Sequence, residues 1–194
     1  MSRFDYNNLL FQISKKLDEV NVVEQIRVMC RELVAASHTT TFPLFEELEE
    51  KGYLSSDHLE VLKAMLRNVK EWNLLDDVKK FEYNRKEYDN LLGQVIRVFD
   101  GPKDLERLLL ICKESIPEER QASIHTVRSL LKELENNQRL GIYCLGTLKE
   151  ILTHTEKRDL LKEVEGFEQR QSRDLEFEKR KGIYLCPFNQ SVNQ

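Results

Sequence analysis

The chain has 194 residues, 40% of them hydrophobic and 33% charged, with a net charge of −4. That length allows two small domains or one larger one, and the mixture suits a soluble globular protein with a real core. The slight negative charge offers no general attraction to nucleic acid or anionic membranes, and only 7 Gly and 4 Pro favour helices over a β-rich fold.

Tyr6, Leu10, Ile13 and Leu17 are spaced for one face of a first helix. Asn21, with Glu24 three residues on, predicts a capping-box start for a second. In that second helix Val23, Ile26, Cys30 and Val34 share a face, while Val28 and Met29 point away. Thr41-Phe42-Pro43 predicts the next helix start and Gly52 its exit. Ser55 is expected to cap the run carrying Leu59, Leu62 and Leu66, and Trp72 to Phe81 completes the set.

The pattern then begins again. Tyr6-Asn7-Asn8-Leu9-Leu10 returns as Tyr88-Asp89-Asn90-Leu91-Leu92, an offset of 82 that also places Cys30 on Cys112. Further along the offset is 86, with Leu48-Glu49 on Leu134-Glu135, Leu74-Leu75 on Leu160-Leu161 and Phe81-Glu82 on Phe167-Glu168. The second copy therefore carries four extra residues, in a stretch where an insertion belongs in a loop. So long a period means a duplicated domain and not a solenoid. The expected domains are 4–83 and 86–168, packed together, because only Tyr83 to Glu87 lies between them and a polar helix could cross it. Residues 169–194 form a C-terminal extension, helical at first and fading into a disordered Asn/Gln-rich tail.

The most informative segment is Asp104 to Ile116, entered through the break Asp100-Gly101-Pro102. At about 100° per residue, Leu108, Leu109, Cys112 and Ile116 fall within roughly 60° of Leu105. Leu110 and Ile111 fall at about 140° and 240° from it, on the far side. One core cannot take all of these side chains. The outer pair either packs under a neighbouring domain or loop, or waits for a partner protein. Lys103, Glu106, Arg107, Lys113 and Glu114 would ring the exposed pair, as charges ring the apolar centre of a binding surface.

Reactive chemistry has no comparable signature. His38, His58, His125 and His154 are scattered, without HExxH or a Cys/His cluster, and no glycine-rich phosphate loop is present. Cys30 and Cys112 lie on core-facing stripes and are expected to be buried, Cys144 similarly, with Cys186 in the tail. Their wide spacing fits reduced thiols in a cytoplasmic protein. The longest apolar run, Leu108 to Cys112, is far short of the roughly 18 residues of a membrane span, and the N-terminus has no signal-like stretch. The expectation is a protein without catalytic residues, cofactor or metal.

Leu108-Leu109-Leu110-Ile111-Cys112-Lys113-Glu114-Ser115-Ile116-Pro117 and Lys157-Arg158-Asp159-Leu160-Leu161 resemble the second and sixth helices of a death effector domain. Ile26 to Leu33 and Glu71-Trp72-Asn73-Leu74-Leu75 stand at the same places in the first copy. The arrangement is similar to the tandem modules of FLICE-like inhibitory proteins and initiator-caspase prodomains. The resemblance implies two all-α, six-helix Greek-key bundles of the death fold. It implies a hydrophobic pair on helix two, here Leu110 and Ile111, with Val28 and Met29 in the first copy. It also implies a charge triad, here Asp104, Lys157 and Asp159, with Lys where Arg is usual. At the first copy's corresponding positions, Val22, Glu71 and Asn73, the triad is absent. The implied partners are other death effector domain proteins, namely the Fas-associated death-domain adaptor and initiator caspases, with self-assembly as a further option. The implied role is regulation of apoptosis without catalysis. Inhibition of caspase activation leads, beside two alternatives: a prodomain fragment or short isoform of an initiator caspase, and an activating adaptor.

Overall fold

The computed structural model describes residues 3–34, 37–99 and 101–180, with side chains to residue 173. Among these residues there are ten α-helices and no strand. Cys186 and the Asn/Gln-rich end lie outside the described residues. The chain divides into two compact units between Asp89 and Asn90, a point inside one long helix.

The first unit comprises α1 (Arg3–Glu19), α2 (Val23–Met29), α3 (Thr41–Glu50), α4 (Glu60–Asn68) and the opening part of α5 (Trp72–Val98). The apolar stripe of α1 is buried as its spacing predicts, with Tyr6, Leu9, Leu10, Ile13 and Leu17 each under 9% exposed. It packs on α3, whose Leu44, Phe45 and Leu48 are fully enclosed, and α2 covers the same helix through Ile26. Each fully buried Leu, Ile or Phe contributes roughly 1.5–3 kcal/mol of apolar transfer.

In the second unit the remainder of α5 leads to α6 (Pro102–Ile111), a 3-10 turn at Lys113–Ser115, α7 (Glu118–Gln121), α8 (Val127–Asn136), α9 (Gly146–His154) and α10 (Arg158–Arg180). Here α6 packs against α8 and α9, and α9 against α10. Leu108, Leu130, Leu134, Leu148, Ile151, Val164 and Phe167 fill the centre.

The internal repeat is reproduced position for position. At the offset of 86, α3 coincides with α8, α4 with α9, and the start of α5 with the start of α10. The isolated bridge Ser55–His58 coincides with Gly141–Cys144. Left-handed residues coincide too: Gly52 (φ 76°) with Gln138 (φ 58°), and Lys70 (φ 62°) with Glu156 (φ 57°). Each ends a helix by letting the following amide reach back, as Tyr53 N–H does to the Leu48 carbonyl at 2.8 Å.

Several sequence expectations are corrected in detail. The four extra residues of the second copy fall between Ser115 and Leu130, the stretch that holds α7, so that stretch is not a bare loop. Between α2 and α3 none of the described residues is helical. Asn21 does not cap α2; it takes φ 56° and terminates α1, and Val22 occupies the cap position without a side-chain bond. Ser55 likewise does not cap α4. Its Oγ accepts from the Asp57 amide (3.3 Å) inside a turn, and α4 begins at Glu60. Thr41 does start α3, but the polar group at that start is the Asp18 carboxylate of α1. It accepts from the Thr41 amide (2.9 Å) and hydroxyl (2.7 Å).

Candidate functional site

The outer face of α6 is built by its own start signal. Pro102 at the first helical position supplies the right φ, and the Asp104 carboxylate accepts from the Gly101 amide at 3.3 Å. From that fixed start Leu108 and Cys112 point inward, 0% and 1% exposed, and Ile116 is 4% exposed beyond the 3-10 turn. Leu110 then has no choice but to face out, and it is 75% exposed, the highest value among the exposed large hydrophobics. Ile111 corrects the wheel reading, because it is half-buried. It sits where the chain leaves α6 and folds back through Lys113–Ser115, which packs on that helix. Leu105 and Leu109 are also half-buried, so only the narrow stripe of Leu108 and Cys112 is fully enclosed.

The first copy leaves its outer pair uncovered: Val28 is 56% and Met29 39% exposed, while Ile26 and Cys30 are enclosed. Around Leu110 the side chains of Lys103, Glu106, Arg107, Lys113 and Glu114 are all exposed. Arg107 also donates to the His154 carbonyl (2.7 Å), tying α6 to the end of α9.

Asp104, Lys157 and Asp159 are not joined by any ion pair among the described residues. Asp104 serves as the α6 cap, and Asp159 is exposed in the first turn of α10. Half-buried Lys157 places its ammonium 5.6 Å from the centre of the buried Phe99 ring, a cation–π contact worth about 0.5–2 kcal/mol. The physical reason is the side chain itself: Lys is a point charge on a flexible stem and lacks the planar fork that would hold two carboxylates. At the matching positions of the first copy Val22 is buried, Glu71 half-buried and Asn73 exposed.

Two further polar contacts were not anticipated. Lys63 binds both carboxylate oxygens of Glu82 at 2.9 Å, and Lys149 binds both of Glu168 at 2.9 and 2.7 Å. These pairs are equivalent under the offset of 86, which was the signal available in the sequence. His38 Nε2 lies 2.5 Å from Glu47 Oε2, and Lys51 joins the same carboxylate at 2.6 Å. Cys30 and Cys112 are buried, and burial pushes both thiols up, Cys112 to about 11 with Glu150 as a secondary cause. Cys144, expected inside, is exposed: it closes the turn that mirrors Ser55–His58, in which Ile142 is buried in the core while Tyr143 and Cys144 face solvent.

Leu110 thus stands exposed on the outer face of α6 among charged side chains. The death effector domain profile matches residues 6–84 and 101–170. The chain belongs to the death effector domain family. Its all-helical architecture is accordingly a tandem pair of death-fold bundles, a family of protein-interaction modules. Caspase-8 of Rattus norvegicus is 38% identical over 64 residues, which is 33% of this chain and 13% of that protein. The match thus spans only a small fraction of the caspase's length. No solved structure matches. No described helix is long and apolar enough to cross a membrane.

Proposed function

We propose that this chain is a non-enzymatic regulator of apoptosis and death-receptor signalling, acting in the cytoplasm by homotypic contacts with death effector domain proteins. Its partners are the Fas-associated death-domain adaptor and initiator caspases, and its modules are residues 4–83 and 86–168. The observation that carries the reading is Leu110, 75% exposed on a short helix whose neighbouring side chains are charged. Such an apolar anchor within a polar rim is what a protein partner desolvates most profitably. Ile111, Val28 and Met29 extend the apolar contact. Asp104, Lys157 and Asp159 supply charge at its margin, and Lys157 can leave the Phe99 ring at a cost of about 0.5–2 kcal/mol. Replacing Leu110 and Ile111 together by Asp should leave helicity intact and abolish co-assembly; undiminished capture of an adaptor by the folded double variant sinks the site.

The leading direction of the effect is inhibition, in which this module pair competes with the zymogens for places in the assembly. The partial likeness to caspase-8 favours a second reading, in which these residues are the prodomain or short form of an initiator caspase. A third is an activating adaptor. Reconstitution with purified adaptor and initiator caspase separates them. Monotonic loss of caspase activity on titration supports inhibition. A rise followed by a fall supports recruitment, and a transcript continuing into a Cys/His protease domain supports the prodomain.

A further inference from the structure

Helix α5 runs past the edge of the first matched module, at residue 84, and on to Val98. Its sequence there is a poor helix former on its own: Asn84, Asp89 and Asn90 all disfavour helix interiors, and a short polar stretch is marginal without tertiary support. Tyr88 and Asn84, 0% and 5% exposed, give part of that support, and Arg85, with 19% of its side chain exposed, adds a polar anchor. Its guanidinium reaches back to the turn between α3 and α4, where Nη1 donates to the Ser56 carbonyl and Nη2 to the Asp57 carboxylate. The Nε atom stands 3.8 Å from Asp89, one turn further along α5. The turn is itself braced by the Ser55–His58 bridge and by the Asp57 amide donating to Ser55 Oγ. Arg85 also holds the Asp57 carboxyl below its ordinary range, chiefly by that hydrogen bond.

The duplicated copy is an internal comparison. The offset of 86 sets Gln171 where Arg85 stands, against a turn closed by the same bridge at Gly141–Cys144. Up to that position the copies agree, since Lys63–Glu82 and Lys149–Glu168 clamp the two helices identically three residues earlier. They part at the next inward side chain. Gln171 is 6% exposed and its Nε2 has no hydrogen-bond partner among the described residues, so the shorter amide is enclosed without making the contact that the arginine makes.

We propose that Arg85, gripping the Ser56 carbonyl and the Asp57 carboxylate, is a latch that keeps the inter-module stretch of α5 helical. With the latch closed residues 84–87 are held helical; with it open that turn frays while Tyr88, 0% exposed, keeps its place in the core. The device does not depend on which partners the modules bind.

Hydrogen exchange on the full chain tests it. Arg85→Gln gives the first copy the residue of the second. It should speed exchange of the 84–90 amides on the order of tenfold, with α1 and α3 unchanged, as expected for losing a charge-assisted bond at a local opening. Arg85→Lys, which keeps the charge but not the fork, should fall between, and Asp57→Asn should speed the same amides by a smaller factor. Unaltered exchange at 84–90, or acceleration spread evenly over α1, α3 and α5 in both Arg85 variants, overturns the proposal.

Discussion

Leu108 and Leu110 are two residues apart on one helix, and they should fail in opposite ways when truncated. Leu108 is 0% exposed, so Leu108→Ala removes buried methyl groups and leaves a cavity, at a cost of about 2–5 kcal/mol of fold stability. Leu110 is 75% exposed, so three quarters of its surface contributes nothing to the monomer and remains to be buried by a partner. A fully buried Leu is worth roughly 1.5–3 kcal/mol, and three quarters of that is about 1–2 kcal/mol of binding. Since ~1.4 kcal/mol is tenfold in affinity, Leu110→Ala should weaken association about 5- to 30-fold. Its urea midpoint should stay within error of wild type, and the Leu108→Ala midpoint should fall clearly. Binding would be read by titration against an immobilised death effector domain protein and stability by urea melts followed by circular dichroism. Equal loss of stability in the two variants, or unweakened binding by Leu110→Ala, would refute the division of α6 into a core face and a docking face.

Lys63→Met should destabilise more than Lys149→Met in urea unfolding, by about 1–2 kcal/mol against under about 1. Lys63 pairs with Glu60 as well as Glu82 and is the more enclosed ammonium, 10% exposed against 32% for Lys149, so its ion pairs are less screened by water. Gln138→Gly should raise stability by about 0.5–1 kcal/mol, because Gln138 sits at φ 58° where its repeat-mate is already Gly52. A lower unfolding midpoint in that variant would contradict the strain assigned to it. Burial raises the pKa of Glu49, so the folded chain holds that proton more tightly than the unfolded one. Its contribution to stability therefore declines as pH rises from the ordinary carboxyl value through the folded one. Glu49→Gln should remove that decline, leaving the variant more stable relative to wild type at pH 7 than at pH 4; a constant difference across melts at the two pH values would show the sign is wrong.

What could be read from residues alone followed from regularity. The offsets of 82 and 86 located the duplicated helices, because a copied core must repeat its apolar spacing, and α3 and α8 duly coincide. The inward run Leu108, Cys112 and the outward Leu110 came from helical geometry alone. What escaped depends on where the chain goes next. Asn21 suits both a helix start and a left-handed helix end, and only the path of the backbone chooses the latter. Ile111 was placed outside by rotation angle, but it is the last residue of α6 and is half-buried where the chain turns into Lys113–Ser115. Cys144 has apolar neighbours in sequence and still faces water, since it lies in a turn and not on a stripe. The Arg85 contact joins residues 28 and 29 positions apart, a distance at which no local pattern operates.

The central claim is that the outer face of α6 is buried when this chain meets another death effector domain protein, and side-chain oxidation by hydroxyl radicals reads that burial directly. In the free chain Leu110 should oxidise readily and Leu108 hardly at all. On adding a death effector domain partner, Leu110 should become protected while an exposed side chain of the first unit such as Tyr53 keeps its rate. A complex that forms with Leu110 still fully reactive would contradict the account.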